Sequence, residues 1–250
     1  MKSLALLSVF IVCFVCSIAQ NIDGFITEAK RLENVPDEKG SFNKFKEVLK
    51  LQPDNLFALS KCSELCSRIG NREADLKSRN NYYAAAIIYA RTALRVSPAD
   101  DEANVAMAIA LGRMVLIKSG KERISTVKDI KHYTDIALKT NAQNFKAWHV
   151  LGKWNYEVSN LNMLERTAAK IFFGGLPEAS LKLAIAAYEK AKELNPTFML
   201  NYLELAKAYN RNDDRQKATA QLKKLLTLPL LTEDDPRIKS EAQKLIRNWE

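Results

Sequence analysis

Between residues 199 and 231, apolar and small side chains recur at helical spacing in two runs divided by a polar break. Tyr202, Leu205, Ala206 and Tyr209 mark the first run, and Ala218, Leu222 and Leu225 the second. Steps of three and four residues put each set on one helical face, so the segment predicts two amphipathic helices folded back on each other. Upstream the same cadence appears in Ala184, Tyr188 and Ala191, ending at Pro196. Comparable runs end at Pro53, Pro98, Asn141-Ala142 and Pro229. Proline cannot continue a helix and restricts the residue before it, so these positions close the second helix of each pair. The pattern predicts five hairpins, at about 22–54, 55–99, 100–142, 143–197 and 198–231. A final segment, 232–250, has an acidic first turn followed by Ile238, Ala242, Leu245, Ile246 and Trp249 at helical spacing. It is expected to cap the stack.

A helix–turn–helix unit of about 34 residues is the signature of tetratricopeptide repeats. The expected fold is therefore all-α: a right-handed α-solenoid of tetratricopeptide-like hairpins with a C-terminal capping helix. Each hairpin exposes an apolar face that its neighbour covers. Small residues such as Ala86, Ala184 and Ala218 permit close approach, and Trp148, Tyr188 and Tyr202 fill the gaps. The first three intervals between closures exceed the regular period. The surplus is placed between the two helices of a hairpin: READLKSRN (72–80), KSGKERIST (118–126) and the partly apolar stretch 161–176. Gly70 and Asn71 are read as a C-terminal cap, which puts the start of the next helix near Asn81. The 161–176 stretch, with Ile171, Phe172 and Phe173, either packs over the repeat it interrupts or forms a lid.

The first 19 residues have a separate pattern. Lys2 precedes an apolar run from Leu4 to Val15, and Ser17-Ile18-Ala19 places small residues before Gln20. This reads as a secretory signal cleaved before Gln20, which implies an exported, periplasmic protein. No later run is long and apolar enough to span a membrane. The net charge is +9, but the cations are interspersed with acids. That excludes nucleic acid as the expected partner and leaves an acidic peptide or an anionic phospholipid open. Cys62 and Cys66, four apart on one helix face, are expected in the core. His132 and His149 are the only histidines. With no phosphate loop, nucleophile elbow or HExxH, an enzyme is not expected, and neither a cofactor nor a metal is implied.

Repeat scaffolds of this type hold ligands on the face formed by the first helix of each hairpin. The register puts Ser60, Glu64 and Arg68 there, then Val105, Ile109 and Arg113, then His149, Lys153 and Tyr156, then Leu203, Lys207 and Arg211. The ligand-binding candidates are Arg68, Arg113, His149, Lys153, Tyr156, Lys207 and Arg211. Each of the four units contributes a cation that could hold carboxylate or phosphate oxygens. A solvated charged face or internal ion pairs is the competing reading. Trp148 and Trp154 are expected in the core, and His149 at the surface. The leading function is a protein- or peptide-binding scaffold, with phospholipid binding as the alternative.

From about Lys128 onward the chain resembles the regulator of microtubule dynamics family. The resemblance rests on Trp148, Gly152 and Trp154; on Leu164-Glu165-Arg166, Ala169 and Phe172-Phe173-Gly174; on Pro177; on Asn195-Pro196 with Phe198; and on Thr232 to Ala242. Residues 22–127 fit more loosely. The resemblance implies a repeat domain, association with microtubules and binding of phospholipid. The leader departs from that family's eukaryotic members and resembles those of bacterial envelope proteins.

Overall fold

Polar residues ahead of most of the apolar runs start the helices. The computed structural model describes residues 21–249. In chain order, α1 covers 21–34. It is followed by α2 (Glu38–Leu51), α3 (Leu56–Arg72), α4 (Leu76–Val96), α5 (Asp101–Met114), α6 (Gly120–Thr140) and α7 (Phe145–Ser159). Then come α8 (Met163–Phe173), α9 (Leu181–Leu194), α10 (Met199–Arg211), α11 (Arg215–Leu226) and α12 (Asp235–Trp249). No strand occurs among the described residues. Asp37, Asn55, Asp75, Asp100, Asn144, Asn162, Ser180 and Asp214 each accept a backbone N–H of the helix they precede. Each cap satisfies a donor that the first turn would otherwise leave unpaired.

Helices pair as hairpins, α1 with α2, α3 with α4, α5 with α6, α7 with α9 across the intervening α8, and α10 with α11. They stack as an all-α solenoid. The core runs between them. Ala29, Phe45 and Val48 meet Ala58, Cys62 and Leu65, so the first two hairpins share one apolar cluster. Both thiols are buried and free, and burial pushes the Cys66 thiol up to about 12. At the far end, α12 lays Ile238 and Ala242 on Leu222 and Leu225, with Trp249 at the margin.

Two surplus segments lie elsewhere than the sequence implies. Residues 76–80 and 120–126 are extra turns on α4 and α6. Asp75 caps α4 through Ser78 N–H at 2.8 Å, so that helix starts before Asn81. Gly70 is no cap, because α3 continues to Arg72. Its missing side chain is used in packing: a Cβ there would lie 2.8 Å from Tyr82 Cβ and 2.9 Å from Tyr83 Cε1. Gly152 of α7 serves the fourth hairpin likewise, since a Cβ would lie 2.6 Å from Cδ1 of the fully buried Tyr188. The third segment forms α8. Asn162 and Glu165 make a reciprocal capping box, and Gly174 (φ 69°) ends the helix in the left-handed region. Ala169 is buried, but Met163, Leu164, Ile171 and Phe172 face outward. The insertion therefore buries Ala169 and packs its ends, Leu161 and Leu176, against Trp154 and Val158, while these four larger apolar side chains stay outside.

Candidate functional site: the inner charged face

The first helices of successive hairpins place their polar residues on one inner face. Ion pairs cross that face between non-adjacent repeats. Lys146 of α7 reaches Glu64 of α3 at 2.9 Å and Glu102 of α5 at 2.7 Å. Burial alone would raise the Glu64 carboxyl, but Lys146, Lys61 and Arg68 outweigh it and hold that pKa well below the usual range. Such a contact across two repeats requires tight curvature.

The ends of the stack also meet here. Glu38, at the start of α2, is buried between Arg68 and Arg72. Arg72 continues to Glu233 at 3.1 Å and Asp234 at 3.2 Å, in the segment leading into α12. The Glu38 N–H donates to Glu233 Oε1 at 2.7 Å. That N–H belongs to the first turn of α2, where the helix dipole favours a carboxylate.

Arg68 is thus committed to Glu38, with Glu64 a further 3.5 Å partner. Lys153 pairs with Glu204 at 2.7 Å and Glu157 at 3.0 Å. Lys207 holds Glu204 at 3.1 Å and Glu241 at 2.8 Å. Burial would raise Glu204, yet Lys153 and Lys207 bring its pKa down to about 2. Arg211 stacks over the Tyr156 ring at 4.8 Å and donates to the Tyr156 carbonyl at 2.8 Å and to Ser159 Oγ at 3.1 Å.

His149 is half-buried rather than fully exposed. Burial lowers its pKa, against the raising effect of Asn201. Asn201 commits its amide N–H to the Tyr188 carbonyl at 2.8 Å and turns Oδ1 to His149 Nδ1 at 3.0 Å. Nδ1 therefore carries the proton, and the imidazole is neutral at pH 7. It stacks edge-on against Phe198 at 4.9 Å.

Arg113 differs from its neighbours. Its Nη1 donates to Asn71 Oδ1 at 3.1 Å, and no carboxylate lies within ion-pair distance among the described residues. Burial lowers its pKa, opposed by Tyr83, Asp234 and Glu204 and assisted by Arg237. An incoming carboxylate or phosphate would find a fixed, partly desolvated guanidinium there.

The seven candidates therefore share one face, but most are already engaged. Sequence reasoning overlooked the bridging Lys146 and the carboxylates Glu38, Glu204, Glu233 and Asp234. Glu204 was detectable, since it lies three residues before Lys207 on the same helix. Trp154 is buried, whereas Trp148 is half-exposed and donates to the Ala142 carbonyl. Trp148 lines an outer furrow of about 490 Å³ with Leu151, Leu183 and Ala187. A smaller furrow of about 290 Å³ lies between Arg91, Met107, Leu111 and Tyr133. Among the described residues, no group of three His, Cys, Asp or Glu side chains is arranged to hold a metal ion. No described helix is long and apolar enough to cross a membrane.

Comparison with solved structures supports the fold. A crystal structure of a thermophilic tetratricopeptide-repeat protein from Thermus thermophilus superposes with a TM-score of 0.66 at 14% identity, covering 89% of this chain and 99% of that one. Regulator of microtubule dynamics protein 1 of Caenorhabditis elegans is 25% identical over 90% of this chain and 99% of its own length. The Bos taurus protein of the same name is 28% identical over 66% of this chain and 52% of its own, so the chain spans about half of that relative. The family model for regulator of microtubule dynamics proteins 1-3 matches residues 25–250. With nearly the whole repeat stack inside that match, the chain belongs to the regulator of microtubule dynamics family.

Proposed function

We propose that the protein is a non-enzymatic scaffold that holds an acidic segment of a protein partner against the inner face. The observation that carries this is Arg113, a half-buried guanidinium among ion-paired neighbours that has an amide partner and, among the described residues, no carboxylate in ion-pair distance. The tetratricopeptide fold supports it, because such stacks present first-helix side chains to bound chains. Lys153, with a side chain 45% exposed, is an accessible cation of the candidate set for a second acidic group. Burial raises the pKa of both thiols, which stay protonated in the core.

The leader pattern of residues 1–19, which lie outside the described residues, supports export to the periplasm. N-terminal sequencing of protein from the envelope fraction should begin at Gln20. A chain beginning at Met1 would sink that part of the reading. For the scaffold role, a photo-crosslinking residue placed at Lys153 should capture a protein in intact cells, and Arg113→Glu should abolish the capture. Capture that survives Arg113→Glu would remove Arg113 from the site. The relatives are named for regulating microtubule dynamics; co-sedimentation with polymerised tubulin would favour that role over an exported scaffold.

A further inference from the structure

The strongest departure from a polar surface lies away from the inner face, at α8 and the short turn Val115–Ile117 before α6. Met163 is 84% exposed, Leu164 80%, Ile171 70% and Phe172 49%. In the turn, Leu116 is 73% and Ile117 50% exposed. Leu164, Ala168 and Ile171 are spaced as one stripe along α8. Lys121, in the first turn of α6 and four residues after Ile117, places its Nζ 4.0 Å from the Phe172 ring centroid, which sets the start of α6 against the end of α8. The capping box and the left-handed Gly174 set the shape of α8 locally. Its apolar side chains are thus held outward by a well-terminated helix.

The charges around this stripe select its occupant. Lys121, Arg166 and Lys170 make no ion pair among the described residues, and the Arg166 guanidinium is held by the Leu161 and Ser159 carbonyls. Lys118 is paired with Glu122, and Glu165 is engaged in the capping box. The surface is apolar with a positive surplus. A second copy docked face to face would oppose like charges. Neither outer furrow borders these side chains. A lipid bilayer needs no groove: apolar side chains enter below the headgroups while flanking lysines meet phosphates.

We propose that α8 and the 115–117 turn form a membrane-docking surface for a bilayer carrying anionic headgroups. Leu164, Ile171, Phe172 and Leu116 insert, and Lys121 and Lys170 meet the headgroup phosphates. The lipid stays in the bilayer. This inference is independent of the inner-face reading.

Vesicle co-sedimentation of the full chain tests it, using phosphatidylcholine alone and phosphatidylcholine with phosphatidylglycerol. Binding is expected on the anionic vesicles, falling several-fold as NaCl rises from about 50 to about 300 mM. Leu164→Asp combined with Ile171→Asp and Phe172→Asp should weaken it at least about tenfold. Lys121→Glu with Lys170→Glu should remove the preference for anionic vesicles. Circular dichroism should be unchanged, since these side chains are exposed; if the triple variant does not fold, Leu164→Asp alone carries the comparison. Residues 1–19 are common to every protein compared, so the leader cannot produce the difference. Arg113→Glu should bind vesicles as the parent does, which separates this surface from the inner face. The proposal fails if the parent does not sediment with anionic vesicles, or if the triple variant sediments equally well. A parent dimer that the triple variant dissociates would assign the surface to a second copy instead.

Discussion

At the scale of single residues, two positions show how packing and charge override local preference. In an exposed helix interior, replacing glycine by alanine gains about 1 kcal/mol of helix propensity. At Gly152 the added methyl would meet the buried Tyr188 ring 2.6 Å away, and overpacking of that kind costs about 1–3 kcal/mol. Gly152→Ala is therefore expected to destabilise the fold, read as a lower midpoint in urea. Unchanged stability would mean that α7 and α9 can separate freely. Glu204 provides the second case. Its folded pKa, about 2, lies below the ordinary 4.5, so its contribution is present above pH 4.5 and is lost as pH falls toward 2. Glu204→Gln should cost roughly 1–3 kcal/mol at neutral pH, since Lys207 keeps Glu241 and the half-exposed Lys153 can hydrate. The variant should also lose part of the acid-induced fall in stability across that window. An unaltered pH profile would show that Glu204 is not the group responsible.

The helices divide into what one-dimensional pattern could reveal and what it could not. Hairpin pairing was legible because alanine and tyrosine recur at three- and four-residue steps and Pro53, Pro98 and Pro196 punctuate them. The bounds of α4 and α6 were not. Residues 76–80 carry few apolar side chains and so lack periodicity, although Leu76, Lys77 and Arg79 are acceptable helix formers once Asp75 caps them. Gly70 misled in the same way, because a packing glycine and a capping glycine look identical in sequence. Asp75→Ala is expected to cost about 1 kcal/mol. Amide exchange should quicken in the first turn of α4, at Ser78 and Arg79, and stay slow near the buried Ala86 and Ala90. Exchange that changes along the entire helix would instead make the cap a determinant of the whole hairpin.

For the whole molecule, the inner face depends on curvature, which explains why its candidate residues were found and their partners were missed. Register places Arg68, Arg113, Lys153 and Lys207 on one side of their helices. Only the closed stack brings Glu64 to Lys146, or Glu233 and Asp234 to Arg72. These contacts form a clasp between the first hairpin and the segment before the capping helix. Reversing the charge at its centre tests whether the clasp sets the curvature. Arg72→Glu would place a carboxylate among Glu38, Glu233 and Asp234, leaving Arg68 alone to balance the buried Glu38. The hairpin interfaces are apolar and untouched, so the helices should persist while the ends part. Small-angle scattering should show a larger radius of gyration, and amide exchange should quicken at the start of α2 and in α12. Adding Glu233→Arg supplies a new opposite charge and should recover part of the compactness. Raising salt in the parent protein should do much less, because partly buried pairs are weakly screened. If Arg72→Glu leaves the dimensions unchanged, curvature belongs to helix packing alone, and the clasp records that curvature without creating it.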